Sequence, residues 1–138
     1  MHIGHLGDAT VEHTAKHLPI IIRQFLSSAI SSKPDPSIPL SPSTISSILQ
    51  NSISSFDNAI AQDVLDLIPG GLAALETVSD EAIQEIINDQ DRGGENFLKA
   101  RLCMYGTTAL VALVDPNRNN LWIANLGDSQ AGAQSKRL

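Results

Sequence analysis

Two apolar runs joined by a polar turn, close to the C-terminal end, constrain the fold of this chain most strongly. Residues 107–114 are Thr, Ala, Val and Leu, types that favour β-strands. A second run covers 121–126, and the DPNRNN segment between them carries Pro116 at a turn-compatible position. The pattern predicts a hairpin with strands at 105–115 and 121–127, the first of them buried on both faces. Gly127, Asp128 and Ser129 follow, so that a carboxylate stands at the end of the second strand.

Two long stretches with helical periodicity precede the hairpin. Apolar residues recur at spacings of three and four over 9–31 and again over 42–68. A proline-rich loop at 32–41 separates the two stretches, and Pro19 is expected to kink or restart the first helix. A shorter helix is predicted at 79–90, with Ser79 as its N-cap. The fold class is therefore α+β, with two long antiparallel helices packed on an antiparallel hairpin within one domain spanning 1–138.

Composition excludes some partners. The net charge of −6 argues against nucleic acid or an anionic membrane surface as a partner, because both repel an acidic protein. The apolar patch at 18–30 is too short to span a bilayer and is interrupted by Pro19 and Arg23. The N-terminal residues lack the pattern of a signal peptide. We therefore expect a cytoplasmic protein.

Two motifs on the hairpin and one at the N-terminus are characteristic of a known family. Residues 106–109 (GTTA) and 123–129 (IANLGDS) resemble paired motifs of the metal-dependent serine/threonine phosphatases of the protein phosphatase 2C type. Residues 4–7 (GHLG), which lead into a helix, are similar to the D-G-H-G-G motif of the same family. The resemblance implies part of an α-β-β-α sandwich, corresponding to roughly the N-terminal half of the catalytic domain.

The resemblance also implies roles for particular residues. His5 occupies the position of the general acid, and the Gly4 carbonyl and Asp128 occupy positions that bind Mg²⁺ or Mn²⁺. Ile3 stands where the family has a metal-binding aspartate, and the late metal-ligand motifs are absent from this sequence. Because a divalent metal pair needs anionic oxygen ligands, we expect a catalytically impaired phosphatase-like fragment.

Two alternatives remain open. One is an active Mg²⁺- or Mn²⁺-dependent phosphatase acting on a phosphoprotein, with the missing ligands supplied by a partner or by another metal arrangement. The other is a non-enzymatic interaction protein. A hairpin intended for a sheet interior should show unpaired edges and an apolar face, and pairing with a second copy hides that surface most simply. We therefore expect a homodimer formed through the exposed sheet.

The histidines and the cysteine raise two further questions, whether the histidines bind a metal and whether the thiol is buried. His13 and His17 lie one helical turn apart, a spacing that suits a transition metal, and His2 and His5 have a similar spacing near the N-terminus. The alternative is that all four are solvent-exposed or capping residues. Cys103 stands among apolar neighbours and is expected to be a buried thiol.

Overall fold

The computed structural model of the protein describes residues 8–35 and 37–132. Within these residues it has four α-helices and a two-stranded antiparallel sheet, with 3-10 turns at Gly71–Ala74 and Gln90–Arg92. None of the described helices is both long enough and apolar enough to cross a membrane. The elements in chain order are α1 (Ala9–Ser31), α2 (Pro42–Leu65), α3 (Asp80–Ile87), α4 (Glu95–Met104), β1 (Ala109–Val114) and β2 (Leu121–Leu126).

The expected starts of α2 and α3 are confirmed by their capping bonds. Ser41 precedes α2 in an extended conformation, and its hydroxyl accepts a hydrogen bond from the Thr44 amide at 3.1 Å. Pro42 takes the first helical position, where the missing amide costs no hydrogen bond. Ser79 caps α3 in the same way by accepting from the Ala82 amide at 3.3 Å. These bonds satisfy amides that the helices leave unpaired.

Two helices end earlier than expected. The helix predicted over 42–68 ends at Leu65, because the amides of Leu67 and Ile68 bond three residues back and tighten the chain into a turn. The helix predicted over 79–90 ends at Ile87, where Asn88 leaves the helical conformation with ψ at 62°. After α2, apolar side chains at Leu67 and Ile68 continue the helical spacing although the backbone hydrogen bonds have already changed.

Pro19 was expected to kink or restart α1, and it does not restart it. The helix continues through it from Ala9 to Ser31. Pro19 and Ala15, whose carbonyl loses its partner amide, are both exposed. The freed carbonyl therefore belongs to the solvent side of the helix, where water replaces the missing bond.

The hairpin begins later than predicted. The strand expected at 105–115 starts at Ala109, because α4 continues to Met104 and Tyr105 is its C-cap. The second strand, expected at 121–127, ends at Leu126. Cys103 in the last turn of α4 is exposed, so the expectation of a buried thiol is wrong. On this helix the buried positions are Ala100 and Leu102.

The core lies between the two long helices and one face of the sheet. α1 packs against α2, and α4 packs against both. Pairing runs from Ala109 opposite Leu126 to Val114 opposite Leu121. The buried cluster combines aliphatic and aromatic side chains of α1 and α2 with one residue of β1: Leu18, Ile22, Ile45, Leu49, Phe56 and Ala109.

Among residues 8–35 and 37–132, helices cover the sheet on one face only. Val111, Leu113, Trp122 and Ala124 pack against the core, whereas the residues that alternate with them are more exposed or point away from it. The expectation that the first strand is buried on both faces is therefore wrong for a single chain. The α+β class is confirmed, and within the described residues the layers are helices on one two-stranded sheet.

Candidate functional site

Asp128, the candidate metal ligand, lies just beyond the end of β2 and is exposed. It follows Gly127, whose φ of +90° turns the chain out of the strand. The Asn125 side-chain amide donates to the Gly127 carbonyl at 3.1 Å across this turn. The sequence therefore places a carboxylate at the end of the hairpin, as expected.

The two hairpin motifs contact each other beside Asp128. The Ser129 hydroxyl donates to the Thr108 hydroxyl at 3.0 Å. A Cβ added to Gly127 would lie 2.7 Å from Cγ2 of Thr108, a distance that real structures do not show. Thr108 is buried, and the Thr107 hydroxyl donates to its carbonyl at 3.1 Å. The two motifs therefore pack against each other, and the Thr108 side chain occupies the space beside Gly127 that a larger residue would fill.

The metal centre implied by the phosphatase resemblance is represented in the described residues by Asp128 only. Across residues 8–35 and 37–132, no group of three or more His, Cys, Asp or Glu side chains is placed to hold a metal ion. The expectations for Ile3, Gly4 and His5 lie outside the described residues. Because Mg²⁺ and Mn²⁺ take several oxygen ligands, one carboxylate is not a sufficient donor set. The described part of the chain therefore does not by itself fit the implied Mg or Mn site.

His13 and His17 form a ring pair on α1. Their ring centroids are 4.4 Å apart, and the His13 ring stacks on Phe56 of α2 at 5.6 Å. Burial against α2, with the nearby charge of His17, lowers the pKa of His13 below its ordinary value. His13 therefore packs in the interface between α1 and α2. The described residues bring no third metal ligand close to His13 and His17.

The turn of the hairpin is fixed by one carboxylate. Asp115 accepts hydrogen bonds from the amides of Asn119 and Asn120 at 2.7 and 3.1 Å, and from the Asn120 side chain at 2.9 Å. The side-chain bond from Asn120, together with these amides, holds the pKa of Asp115 below its ordinary value. Arg118 adopts a left-handed conformation, with φ at 58°. The turn sets the register that decides which residues of the strands face the helices.

The face of the hairpin that points away from the helices is apolar and uncharged. Val114, Leu121 and Ile123 are 53%, 49% and 44% exposed. The register places these residues opposite one another in pairs, with Ala112 facing Ile123 and Val114 facing Leu121. We call this surface the outer face; its members are Leu110, Ala112, Val114, Leu121, Ile123 and Asn125.

Comparison with known proteins finds no matching family model, no similar curated protein and no similar solved structure. The resemblance to phosphatases of the 2C type therefore depends on the motif residues of the sequence alone.

Proposed function

We propose that this chain is a phosphatase 2C-like fragment that acts as an interaction module and associates with a second copy of itself through the outer face. The observation that carries the proposal is the exposure of three large apolar side chains, Val114, Leu121 and Ile123, on one surface. Contiguous exposed apolar surface of this kind is typical of interaction sites.

Charge favours a second copy as the occupant. Each chain carries a net charge of −6, so two copies repel one another over most of their surfaces. The outer face has no charged residue among its six members. Stacking two such faces buries apolar side chains of both copies without burying a charge, and it gives the layer order helix, sheet, sheet, helix. Packed sheets lie about 10 Å apart in this arrangement.

The size of the outer face limits the strength of the dimer. Two six-residue strands cover roughly 20 Å by 10 Å, or about 200 Å² per copy, so stacking two copies removes on the order of 400 Å² from water. Stable interfaces usually bury about 1,200–2,000 Å² in total. We therefore expect reversible association, with a dissociation constant of roughly 10–1,000 μM.

Sedimentation velocity over a concentration series tests the proposal. The wild-type mass should rise from one chain toward two, whereas Ile123→Glu should stay at one chain because it places two carboxylates in the dry interface. Ile20→Glu is a matched control, since Ile20 is 50% exposed on α1 and lies outside the outer face. A wild-type monomer at millimolar concentration, or equal weakening by both substitutions, would contradict the proposal.

The packing of Thr108, Gly127 and Ser129 favours a second candidate, an active metal-dependent phosphatase acting on a phosphoprotein. This contact holds the chain that carries Asp128 against the hairpin. Under this candidate, p-nitrophenyl phosphate is hydrolysed in the presence of Mn²⁺, and both Asp128→Asn and His5→Ala reduce turnover at least tenfold. Asp91→Asn, at an exposed carboxylate outside the hairpin, is the control and should leave turnover unchanged. The absence of Mn²⁺-dependent turnover in the wild-type protein would exclude this candidate.

A further inference from the structure

A groove runs along the edge of β1 that faces away from β2. It measures about 380 Å³ and lies between one side of α1 and four consecutive residues of the strand, Leu110 to Leu113. Leu18, Ile22 and Leu26 of α1 contribute apolar side chains to it. Among the described residues that line it, Arg23 is the one with a charge. We call this surface the edge groove.

α1 accompanies β1 along its whole length. The cavity at one end brings Thr10 and Thr14 beside Ala109, and the cavity at the other end brings Leu26 and Ile30 beside Val114. Helix and strand therefore run in the same direction, with the edge groove between them. An extended segment placed in the groove would follow both elements for the full length of the strand.

In the part of the chain that the structure describes, the edge of β1 on the groove side has no neighbouring strand, and we call it the free edge. Within the described residues, β1 pairs only with β2. The Asp115 amide donates to the Asn120 carbonyl at 3.1 Å, so these two residues form a hydrogen-bonded pair. With the register of the strands, this bond determines which of the following residue pairs are hydrogen-bonded and which are not. Because antiparallel partners alternate between bonded and non-bonded pairs, Leu110, Ala112 and Val114 direct their amides and carbonyls away from β2. These groups are available to another strand.

We propose that the edge groove binds an extended peptide of a partner protein by adding it to the sheet as a third strand. The peptide pairs its backbone with Leu110, Ala112 and Val114, and it directs every second side chain toward the apolar wall formed by α1. Those side chains are apolar, and an acidic residue of the peptide lies beside Arg23. This charge complementarity favours an acidic peptide over a second copy of β1, because β1 carries no charged residue.

The experiment is a titration with a blocked heptapeptide that alternates valine and threonine and has glutamate at its centre, monitored by amide hydrogen exchange. Binding should protect the amides of Leu110, Ala112 and Val114 and leave those of β2 unchanged. The same peptide with lysine at its centre should bind about fivefold more weakly. Failure of the glutamate peptide to bind, or protection confined to other amides, overturns the proposal.

Two pairs of variants separate the two parts of the recognition. Ala112→Pro removes one outward amide from an edge strand, where proline is tolerated, and should weaken binding at least tenfold. Asn125→Pro makes the same change on the free edge of β2 and should leave binding unchanged. Arg23→Glu should reverse the preference between the two peptides, whereas Lys16→Glu, the same charge change on α1 outside the groove, should preserve it.

The edge groove and the outer face give distinguishable results. Ile123→Glu, which is expected to be monomeric, should still bind the peptide, since its side chain does not line the groove. If the amides of Leu110, Ala112 and Val114 are protected in the wild-type dimer without peptide, the free edge is occupied by a second copy and the peptide proposal is wrong.

Discussion

Gly127 is the residue at which a single added carbon should disturb the hairpin most. Its φ of +90° is unfavourable for any residue with a side chain, and the added Cβ would overlap Cγ2 of Thr108. We expect Gly127→Ala to lower the free energy of unfolding by about 2 kcal/mol, from backbone strain and this contact together. Urea denaturation measures the change.

Gly106→Ala provides the comparison for that substitution. Gly106 has open space where a Cβ would be built, and it precedes the same hairpin. The free energy of unfolding of the Gly106→Ala protein should stay within about 0.5 kcal/mol of the wild-type value, as is usual for surface substitutions. A Gly127→Ala protein as stable as Gly106→Ala would show that the contact between Gly127 and Thr108 is not close in solution.

Asp128 shows how far sequence reasoning succeeds for an individual residue. Its position after an apolar run and a glycine predicted a carboxylate at the end of a strand, and the structure has Asp128 two residues after the end of β2. Arg23 was not predicted as a binding residue. Its significance depends on α1 lying beside the free edge of β1, a tertiary arrangement that helical spacing does not specify.

At the scale of elements, α4 depends on a carboxylate that precedes it in the chain by six residues. Asp89 is buried, and its two oxygens accept hydrogen bonds from the amides of Asn96 and Phe97 at 3.0 and 3.1 Å. These are first-turn amides, which the helix itself leaves unpaired. The bond from the Asn96 amide, with that from Phe97, lowers the pKa of Asp89 below its ordinary value.

This pKa direction predicts how the stability contribution of Asp89 varies with pH. A carboxyl whose pKa is lower in the folded state stabilises the protein above its unfolded pKa of about 3.9, and this contribution disappears as pH falls through the folded value. Asp89→Asn should therefore destabilise the protein at pH 7, and the difference from wild type should shrink below about pH 4. Urea unfolding of both proteins at pH 7 and at a pH below about 4 measures this difference in the free energy of unfolding.

Asp91→Asn is the matched change in the same loop. Asp91 is exposed, and its substitution should leave the urea midpoint close to the wild-type value at both pH values. A destabilisation by Asp89→Asn that stays equally large in acid would show that shape rather than charge accounts for the role of Asp89.

The elements that the sequence predicted best are those with the longest regular patterns. α1 matches its expected range, and the start of α2 follows from Ser41 and Pro42. α4 had no clear expectation, because its capping residue Asp89 lies outside the usual N-cap position. The early end of α2 depends on three-residue hydrogen bonds near Ile68, which apolar spacing does not reveal.

At the scale of the whole molecule, residues 8–35 and 37–132 place helices on one face of the two-stranded sheet and none on the other. Helices cover the inner face of the sheet, while the outer face and both strand edges remain open within the described residues. An apolar hairpin face without a charge is a liability for aggregation unless it has a partner. We therefore propose a second copy as the occupant of the outer face and an extended peptide as the occupant of the free edge of β1.

Isotope-filtered nuclear Overhauser spectroscopy on a mixture of labelled and unlabelled chains tests the central claim, docking through the outer face, most directly. We expect contacts between copies that involve methyl groups of Val114, Leu121 and Ile123. These contacts should strengthen with concentration and disappear in Ile123→Glu. Contacts between copies that involve only helix residues, or none at a concentration where the wild-type mass indicates a dimer, would contradict it.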